Sequence, residues 1–394
     1  MARSRLVSST AFNFVLTMGV VNLFGDMTYE GGGAINGQFM ASLGASAAVV
    51  SITAGLGEFL GYSLRSISGY IADRTGRYWL VTFIGYAINL LAVPAMALAG
   101  NWEVAALLIL AERIGRAIRK PTVEAMLSYT TGKHGKGWVY ALNTALDETG
   151  ATLGPLVMAL VLLLHGDYRT GYALLLASSA LALGALAVAR INFPVPSRLE
   201  EGRTAKAAGF SRSYWLYMVA AACFAAGLMS YELVAYHLVK TKIVTEPWIP
   251  VFLAFSTGCG VIASLVLGKL YDRAPLPTLL AAVFLSSLFS PLAFLGSFPA
   301  LLAGIVFWGI GYATQDTLFK AVVAGVLPEG KRNLAFGLFY TGYGVGWLIG
   351  SVATGLLYEQ SRMALVVFAV FAQLISLPLF VIANRQQPSP RQGG

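Results

Sequence analysis

The chain has 394 residues, of which 57% are hydrophobic and only 11% are charged. Soluble domains have about 25% charged residues, so this composition excludes an ordinary soluble protein and indicates a surface that faces lipid. The two cysteines, Cys223 and Cys259, lie in apolar stretches and exclude a disulfide framework. Twelve membrane-spanning helices of about 22 residues would use roughly 264 residues and leave the rest for loops and tails.

Twelve apolar segments follow one another along the chain, separated by short polar or glycine-rich breaks. Each is long enough to cross a bilayer as a helix. The first begins after Arg3 and Arg5 and lacks a small-residue cleavage pattern, so we interpret it as a retained helix and not as a signal peptide. The predicted spans are 9–33, 44–71, 78–100, 103–127, 137–164, 169–190, 213–240, 248–271, 276–297, 299–326, 333–358 and 363–384.

The longest polar stretch, residues 191–212, lies between the sixth and seventh spans. We expect it to be a cytoplasmic linker between an N-terminal half, 1–190, and a C-terminal half, 213–394. With the N-terminus inside, seventeen of the 27 basic residues fall in cytoplasmic segments and four on the opposite side. Positively charged loops stay in the cytoplasm, so both termini are predicted to be cytoplasmic. The net charge of +9 is then explained by topology and not by a nucleic-acid partner.

Three short patterns of the first half recur in the second half in the same order. The offsets are 202, 199 and 196 residues, which indicates a duplication. Two related six-helix halves are a transporter architecture, with the substrate site near the middle of the membrane between the halves. The matched segments are 25–30 with 227–232, 69–74 with 268–273, and 150–154 with 346–350.

The segment from Gly69 to Tyr78 reads G-Y-I-A-D-R-T-G-R-Y. It resembles the signature loop of the major facilitator superfamily, G-x-x-x-D-R-x-G-R-R between spans two and three, and departs from it only at Tyr78. The glycines at 150 and 154, followed by Pro155, resemble the antiporter motif of the superfamily without its trailing glycine pair. The acidic pattern of span one and the Arg113-x-Gly115 pattern of span four resemble a prokaryotic exporter-like group within the superfamily.

This resemblance implies an all-α membrane protein with twelve transmembrane helices in two pseudo-symmetric six-helix halves. It implies a transporter and not an enzyme, placed as a multi-pass protein in the inner (cytoplasmic) membrane and surrounded by membrane lipid. We expect a small-molecule substrate, protons as the coupling ion, a monomer, and neither a cofactor nor a structural metal.

The signature loop also predicts a conformational latch at the cytoplasmic helix ends. Glycine lets neighbouring helices approach closely, and the aspartate and arginines can tie helix ends by charge-assisted hydrogen bonds. Glu124, near the inner end of span four, is a predicted partner for Arg74 or Arg77. The alternative is that the arginines only anchor the topology. The predicted latch residues are Gly69, Asp73, Arg74, Arg77, Glu124, Gly268, Asp272 and Arg273.

Ionisable residues inside spans are costly and are functional candidates by default. Most of them fall on spans one, four, seven and ten, which line the central cavity in the superfamily. Asp26 and Glu30 are four residues apart and share one helix face. The repeat pairs Glu30 with Glu232, and we hypothesise that both bind a proton or a cationic substrate across the cavity. The alternative is structural pairing with arginines. The tyrosines beside these glutamates, Tyr29 and Tyr231, are candidate substrate contacts.

Span four carries Arg113, Arg116 and Lys120 on one predicted face. These bases either neutralise intramembrane carboxylates or receive an anionic substrate, and both interpretations stay open. Asp147 in span five is a candidate second protonation site or the partner of Arg113. Two further candidates for polar cavity groups lie on span ten, Gln315 and Asp316.

The sequence has no G-x-x-x-x-G-K-[ST] nucleotide-binding motif, so we expect an ion gradient, and most simply protons, to drive transport. Export by antiport is the favoured direction because of the partial antiporter motif. The alternatives are proton-coupled uptake of an organic anion or nutrient, and export of a divalent metal. A different class, a non-transporting membrane receptor or a lipid-handling protein, would not need titratable carboxylates inside the membrane.

Overall fold

The computed structural model describes residues 2–128, 136–194, 210–319, 321–323 and 332–386. In these ranges the chain is almost entirely helical and contains no strand. An α-helix satisfies all its backbone hydrogen bonds internally, which is what a segment in lipid requires. The predicted all-α fold class is confirmed.

Fourteen α-helices follow one another in the described residues, and they correspond in order to the twelve predicted spans. Spans seven and nine are each made of two helices, and span ten ends in a π-helical turn, Thr314–Phe319. The helices are α1 Ala2–Ser42, α2 Ala47–Thr75, α3 Tyr78–Ala95, α4 Trp102–Ser128, α5 Lys136–Leu163, α6 Tyr168–Asn192, α7 Arg212–Leu228, α8 Tyr231–Thr241, α9 Trp248–Arg273, α10 Pro275–Ser287, α11 Phe289–Leu295, α12 Phe298–Ala313, α13 Arg332–Gln360 and α14 Arg362–Arg385.

Span seven is interrupted, whereas the sequence predicts one helix over 213–240. Met229 has a positive φ of 58°, which an α-helix does not allow, and α8 starts two residues later at Tyr231. The interruption removes helical hydrogen bonds, and the carbonyl of Met229 instead accepts one from the indole N–H of Trp308 at 3.2 Å. Glu232 therefore lies in the first turn of a short helix and not in the middle of a long one.

Among the described residues, nine segments are long and apolar enough to cross a membrane by length and composition. Helices α1, α4 and α13 are not among the nine. In α4 the reason is the row of charged residues from Glu112 to Lys120, which an isolated helix could not carry through lipid. The charged side chains of α4 therefore need partners on neighbouring helices.

The chain forms two compact units. Unit 1 comprises Met1–Ala45, Leu64–Arg203 and Leu238–Ala254. Unit 2 comprises Ser46–Ser63, Thr204–His237 and Phe255–Gly394. In unit 1, α1 packs on α5 and α6, and α3 packs on α4; in unit 2, α7 packs on α13 and α14. The halves expected from the sequence, 1–190 and 213–394, stay a prediction.

Two glycine pairs create equivalent close contacts in the two units. A β-carbon at Gly150 of α5 would collide with the carbonyl of Leu23 in α1, and one at Gly154 with the carbonyl of Met27. In unit 2, β-carbons at Gly346 and Gly350 of α13 would collide with the carbonyls of Ala222 and Ala226 in α7. Glycine is needed at all four positions because the helix backbones touch there.

These contacts correct the register of the repeat. They pair Leu23 with Ala222 and Met27 with Ala226, which is an offset of 199 residues and not the 202 predicted for segments 25–30 and 227–232. At this offset Glu30 corresponds to Met229, at the helix interruption. The helix contacts before the interruption therefore do not support the predicted equivalence of Glu30 and Glu232, which stays a prediction.

Candidate functional site

Two carboxylates of α1 face two arginines of α4 inside unit 1. Asp26 Oδ1 lies 3.7 Å from Arg119 Nη2, and Glu30 Oε1 lies 3.9 Å from Arg116 Nη1. Glu30 lies one helical turn after Asp26 in α1, and Arg116 lies about one turn before Arg119 in α4. The two ion pairs therefore lie side by side between helices that run antiparallel. The four side chains connect α1 to α4.

The Arg119 guanidinium is held in place by α3. It donates from Nη1 to the Tyr86 hydroxyl at 3.1 Å and from Nε to Asn89 Oδ1 at 3.2 Å, and its Cζ lies 4.4 Å from the centre of the Tyr86 ring. Tyr86 in turn donates to Asn22 Oδ1 at 2.6 Å. Arg119 is only 6% exposed, and a cation buried to that extent needs such hydrogen-bond partners.

Asn89 joins this pair to a second group of charges around Glu112. It donates from Nδ2 to Glu112 Oε1 at 2.9 Å and to the Glu112 carbonyl at 3.1 Å. The Glu112 carboxylate also lies 3.3 Å from Arg113 Nε and 3.6 Å from Arg116 Nε. One amide side chain thus contacts both groups of ion pairs.

Asp147 of α5 approaches the same arginine from another helix. It accepts a hydrogen bond from Asn22 and lies within electrostatic range of Arg119, Lys120 and Asp26. Two carboxylates, Asp26 and Asp147, therefore share the neighbourhood of one buried guanidinium. We call the charged side chains linked by these contacts the charge network; they are Asp26, Glu30, Glu112, Arg113, Arg116, Arg119 and Asp147.

The ring of Tyr29 lies against the cations of the network. Its centre is 4.4 Å from Arg116 Cζ and 5.5 Å from Arg119 Cζ, which are cation–π distances. Tyr29 is one of the site candidates from the sequence. The structure thus brings together six of those candidates in unit 1, namely Asp26, Tyr29, Glu30, Arg113, Arg116 and Asp147.

Arg119 and Glu112 are central to the network but are missing from the candidate set. The sequence favours the face of Arg113, Arg116 and Lys120, yet Lys120 is exposed and Arg119 is buried. The glycines of α3 and α4 could have indicated which face of α4 is buried. A β-carbon at Gly85 or at Gly115 would come within 3.0 Å of the facing helix. Close contact of α3 with α4 at these glycines places Tyr86 and Asn89 against the Arg119 face.

In unit 2 the predicted candidates have different surroundings. Tyr231 and Glu232 are both buried in the first turn of α8. Gln315 is buried, donates to the Tyr62 hydroxyl at 2.6 Å and accepts from the Tyr343 hydroxyl at 2.7 Å. Asp316 is exposed.

Gln315 occupies the place in unit 2 that Arg119 occupies in unit 1. Gly69 packs against Pro121, and Gly268 packs against Thr317, so α4 and α12 correspond at an offset of 196 residues. The same register pairs Arg119 with Gln315. A charged centre in unit 1 is thus replaced by an amide between the hydroxyls of Tyr62 and Tyr343. The rings of these two tyrosines contact further aromatic side chains, Tyr340 and Trp347.

The predicted latch has a different partner in this structure. Arg74 Nη1 lies 3.3 Å from the Tyr70 hydroxyl, one turn earlier on α2. Glu124 is exposed, and no ion pair between it and Arg74 or Arg77 is present among the described residues, so this pairing stays a prediction. The exposed helix end lets the Arg74 side chain fold back along its own helix.

The other charged latch candidates lie at the ends of α2 and α9. The side chain of Asp73 lies outside the described residues. Asp272 and Arg273 are exposed at the end of α9. The latch therefore stays a prediction; a β-carbon at Gly69 would lie 3.4 Å from Pro121 Cβ, which is an ordinary contact distance.

Comparison with known proteins decides the family. The Major Facilitator Superfamily model matches residues 7–273 and 247–394. The chain belongs to the Major Facilitator Superfamily. It is therefore a multi-pass membrane transporter and not an enzyme, as predicted. The predicted superfamily fold is confirmed.

Relatives of known sequence or structure agree with this family. An uncharacterized protein of Mycobacterium tuberculosis is 31% identical over 389 residues, covering 97% of this chain and 95% of that protein. The multidrug resistance protein MdtH of Photorhabdus laumondii is 24% identical over 341 residues, covering 82% and 81%. The crystal structure of a mutant of the nucleoside transporter NupG superposes with a TM-score of 0.78 at 12% identity, covering 94% and 99%, which shows a shared fold alone.

Proposed function

We propose that this superfamily member is a proton-coupled exporter, which exchanges a small cytoplasmic solute for protons by alternating access. The observation that carries the proposal is the composition of the charge network. In the described part of unit 1, four carboxylates meet three guanidinium groups in this network. Lys120, which is exposed, also acts on Asp147 and is not one of these guanidinium groups. One bound proton would leave three charged carboxylates facing the three guanidinium groups.

Asp26 is the favoured proton site. It is 8% exposed and shares Arg119 with Asp147, so the two carboxylates compete for one cation. A proton on Asp26 removes its attraction for Arg119 and leaves Arg119 to Asp147. The electrostatic attraction between α1 and α4 is then weaker when Asp26 is protonated than when it is deprotonated. Proton binding on one side of the membrane and release on the other would thus favour different helix arrangements.

Glu30 and Glu232 keep secondary roles in the proposal. Glu30 is more exposed than Asp26 and Glu112, and in the proposal its carboxylate is available to a cationic group of a substrate. Glu232 is the buried acid in the first turn of α8 and supplies a proton or cation site in unit 2. The two act independently in the proposal, because the corrected register does not relate them.

Two observations support export. A transporter that carries the solute in one helix arrangement and returns in the other with a proton on Asp26 moves the two in opposite directions. The glycines that resemble the antiporter motif pack α5 directly on α1 at Leu23 and Met27, beside Asp26. The relative from Photorhabdus is named as a multidrug resistance protein, which agrees with export. We place the transporter in the cytoplasmic membrane with both termini inside, from the distribution of basic residues.

The proposal is tested with everted membrane vesicles that are energised by respiration and loaded with acridine orange. A panel of amino acids, sugars, nucleosides and lipophilic cations is added in turn to the exposed cytoplasmic face. We expect at least one class to release protons from vesicles that contain the protein. The Asp26→Asn variant should lose this release, because its side chain keeps the shape but cannot bind a proton.

The matched control is Glu103→Gln, which removes an exposed carboxylate in the first turn of α4. It should release protons as the unchanged protein does. Proton release that is unaffected by Asp26→Asn would contradict the assignment of the proton site. The absence of release for every class would contradict exchange.

A further inference from the structure

The guanidinium of Arg119 starts two chains of hydrogen bonds, and each chain ends on another carboxylate of the charge network. A guanidinium carries five N–H donors and no acceptor, and it keeps its charge in proteins. Every group that forms a hydrogen bond with Arg119 must therefore accept. This fixed donor sets the direction of each further hydrogen bond in the two chains.

In the first chain, Asn89 of α3 connects Arg119 to Glu112. The amide atom that faces Arg119 Nε at 3.2 Å has to be the oxygen, because the guanidinium can only donate. The amide nitrogen of Asn89 then faces Glu112 Oε1, to which it donates at 2.9 Å. Because an amide nitrogen is a donor only, this oxygen of Glu112 must accept.

Two arginines also face the Glu112 carboxylate. Oε1 lies 3.6 Å from Arg116 Nε, and Oε2 lies 3.3 Å from Arg113 Nε. Both carboxylate oxygens thus face groups that can only donate. A proton on Glu112 would point at one of these donors or break its contact, and Glu112 is only 6% exposed. Because a buried polar group without a partner is costly, these contacts favour the ionised form of Glu112.

The second chain ends at Asp147 of α5. Arg119 Nη1 donates to the Tyr86 hydroxyl at 3.1 Å, so this hydroxyl directs its own hydrogen at Asn22 Oδ1, 2.6 Å away. The amide nitrogen of Asn22 is left to donate to the Asp147 carboxylate. In this contact Asp147 therefore accepts, as Glu112 does in the first chain.

Asp26 differs from these two acids because its hydrogen-bond partner can both donate and accept. Its carboxylate accepts a hydrogen bond from the Tyr29 hydroxyl. When Asp26 binds a proton, this contact can reverse, with the carboxyl group donating to the hydroxyl oxygen. Protonation thus weakens the ion pair with Arg119 but keeps the hydrogen bond to Tyr29. The other charged groups that act on Asp26 are Asp147 and Lys120.

We propose that Asn89 and Asn22 are positioning residues for proton coupling, which extend the fixed donor direction of Arg119 to two acids. Glu112 and Asp147 then stay ionised, and Asp26 is the acid that takes the proton. Neither asparagine titrates; each acts through the carboxylate that it contacts. This inference rests on the proposed function and explains why one acid among several carries its proton.

The inference is tested by turning each amide donor into an acceptor. Asn89→Asp and Asn22→Asp keep the side-chain shape, but each brings two carboxylates together where an amide nitrogen had donated. Two carboxylates that share a site do not both ionise, so each variant should hold one proton more than the unchanged protein. Protonated carboxyl groups are counted by their infrared C=O stretch in the detergent-purified full chain, at a pH where exposed carboxylates, with a pKa of about 4, are ionised.

A rescue variant and a control separate hydrogen-bond direction from a merely structural role. In the double variant Asn89→Asp with Glu112→Gln, the new amide nitrogen can donate to the new carboxylate, so the count should return to that of the unchanged protein. The matched control is Asn101→Asp, at an exposed position whose side-chain oxygen accepts from the Val104 N–H at 2.9 Å. An aspartate can accept there as well, so this variant should add no protonated carboxyl group.

One additional protonated carboxyl group in each asparagine variant, which disappears in the double variant, supports the inference. An unchanged count in Asn89→Asp or in Asn22→Asp overturns it, and so does an equal count in Asn89→Asp and the double variant. Where one single variant does not fold, as judged by size exclusion, the other one decides.

The same assay tests the proposed function separately. Asp26→Asn should remove one protonated carboxyl group from the count of the unchanged protein. A count that Asp26→Asn leaves unchanged would contradict the proton site, whatever the asparagine variants show. A lower count in Asp26→Asn without a higher count in the asparagine variants would keep the proton site and reject the role of the asparagines.

Discussion

The ion pair between Asp26 and Arg119 joins the proton site of the proposal to the rest of the network. Arg119 is surrounded by Tyr86 and Asn89 of α3, which are themselves buried. The sequence identifies the acids, because carboxylates inside a span are rare. It does not identify Arg119, because α4 has several basic residues and their burial depends on which face meets α3.

A charge-removal series tests this pair. Arg119→Gln leaves the Asp26 carboxylate buried without its cation, and breaking a buried pair in this way destabilises by about 3–5 kcal/mol. We expect a clearly lower Tm in detergent for this variant. The double variant Asp26→Asn with Arg119→Gln should recover part of the loss, because one buried carboxylate fewer is left without its cation. Equal Tm values for the single and double variants would argue against a direct pair.

At the scale of helices, the two units are built on the same glycine contacts. The sequence reveals the glycine spacing at 150–154 and 346–350, but not which turn of α1 or α7 it meets. The hexapeptide similarity therefore gives a register that differs from that of the packed helices. The interruption of span seven is also invisible in the sequence, because Met229 carries no turn signal and the Trp308 side chain that donates to its carbonyl is 79 residues away.

The glycine contacts predict equal effects in the two units. Gly150→Ala and Gly346→Ala each place a methyl group on a facing carbonyl, and forcing such atoms into a packed interface costs about 1–3 kcal/mol. Both should lower the Tm measured by fluorescence-detected size exclusion. Gly184→Ala, which meets nothing within 4 Å, should not lower it. If Gly150→Ala lowered the Tm and Gly346→Ala did not, the two units would not share this helix packing.

At the scale of the whole molecule, the two units share a fold but differ in chemistry. The repeat places Arg119 and its acids in unit 1 where unit 2 has Gln315 with Tyr62 and Tyr343. Span count, duplication and family are predictable from the sequence because they depend on local hydropathy and short motifs. The division of charged and aromatic side chains between the two units is not predictable from the sequence, since it depends on which side chains come into contact when the helices pack.

The central claim is that Asp26 couples solute movement to protons. The most direct measurement uses proteoliposomes and the solute found in the vesicle screen, with the unchanged protein and Asp26→Asn side by side. Solute exchange without a pH gradient should continue in Asp26→Asn, because the binding site and the helix motion remain. Accumulation driven by a pH gradient should be lost in this variant. Gradient-driven accumulation that persists in Asp26→Asn would contradict the account.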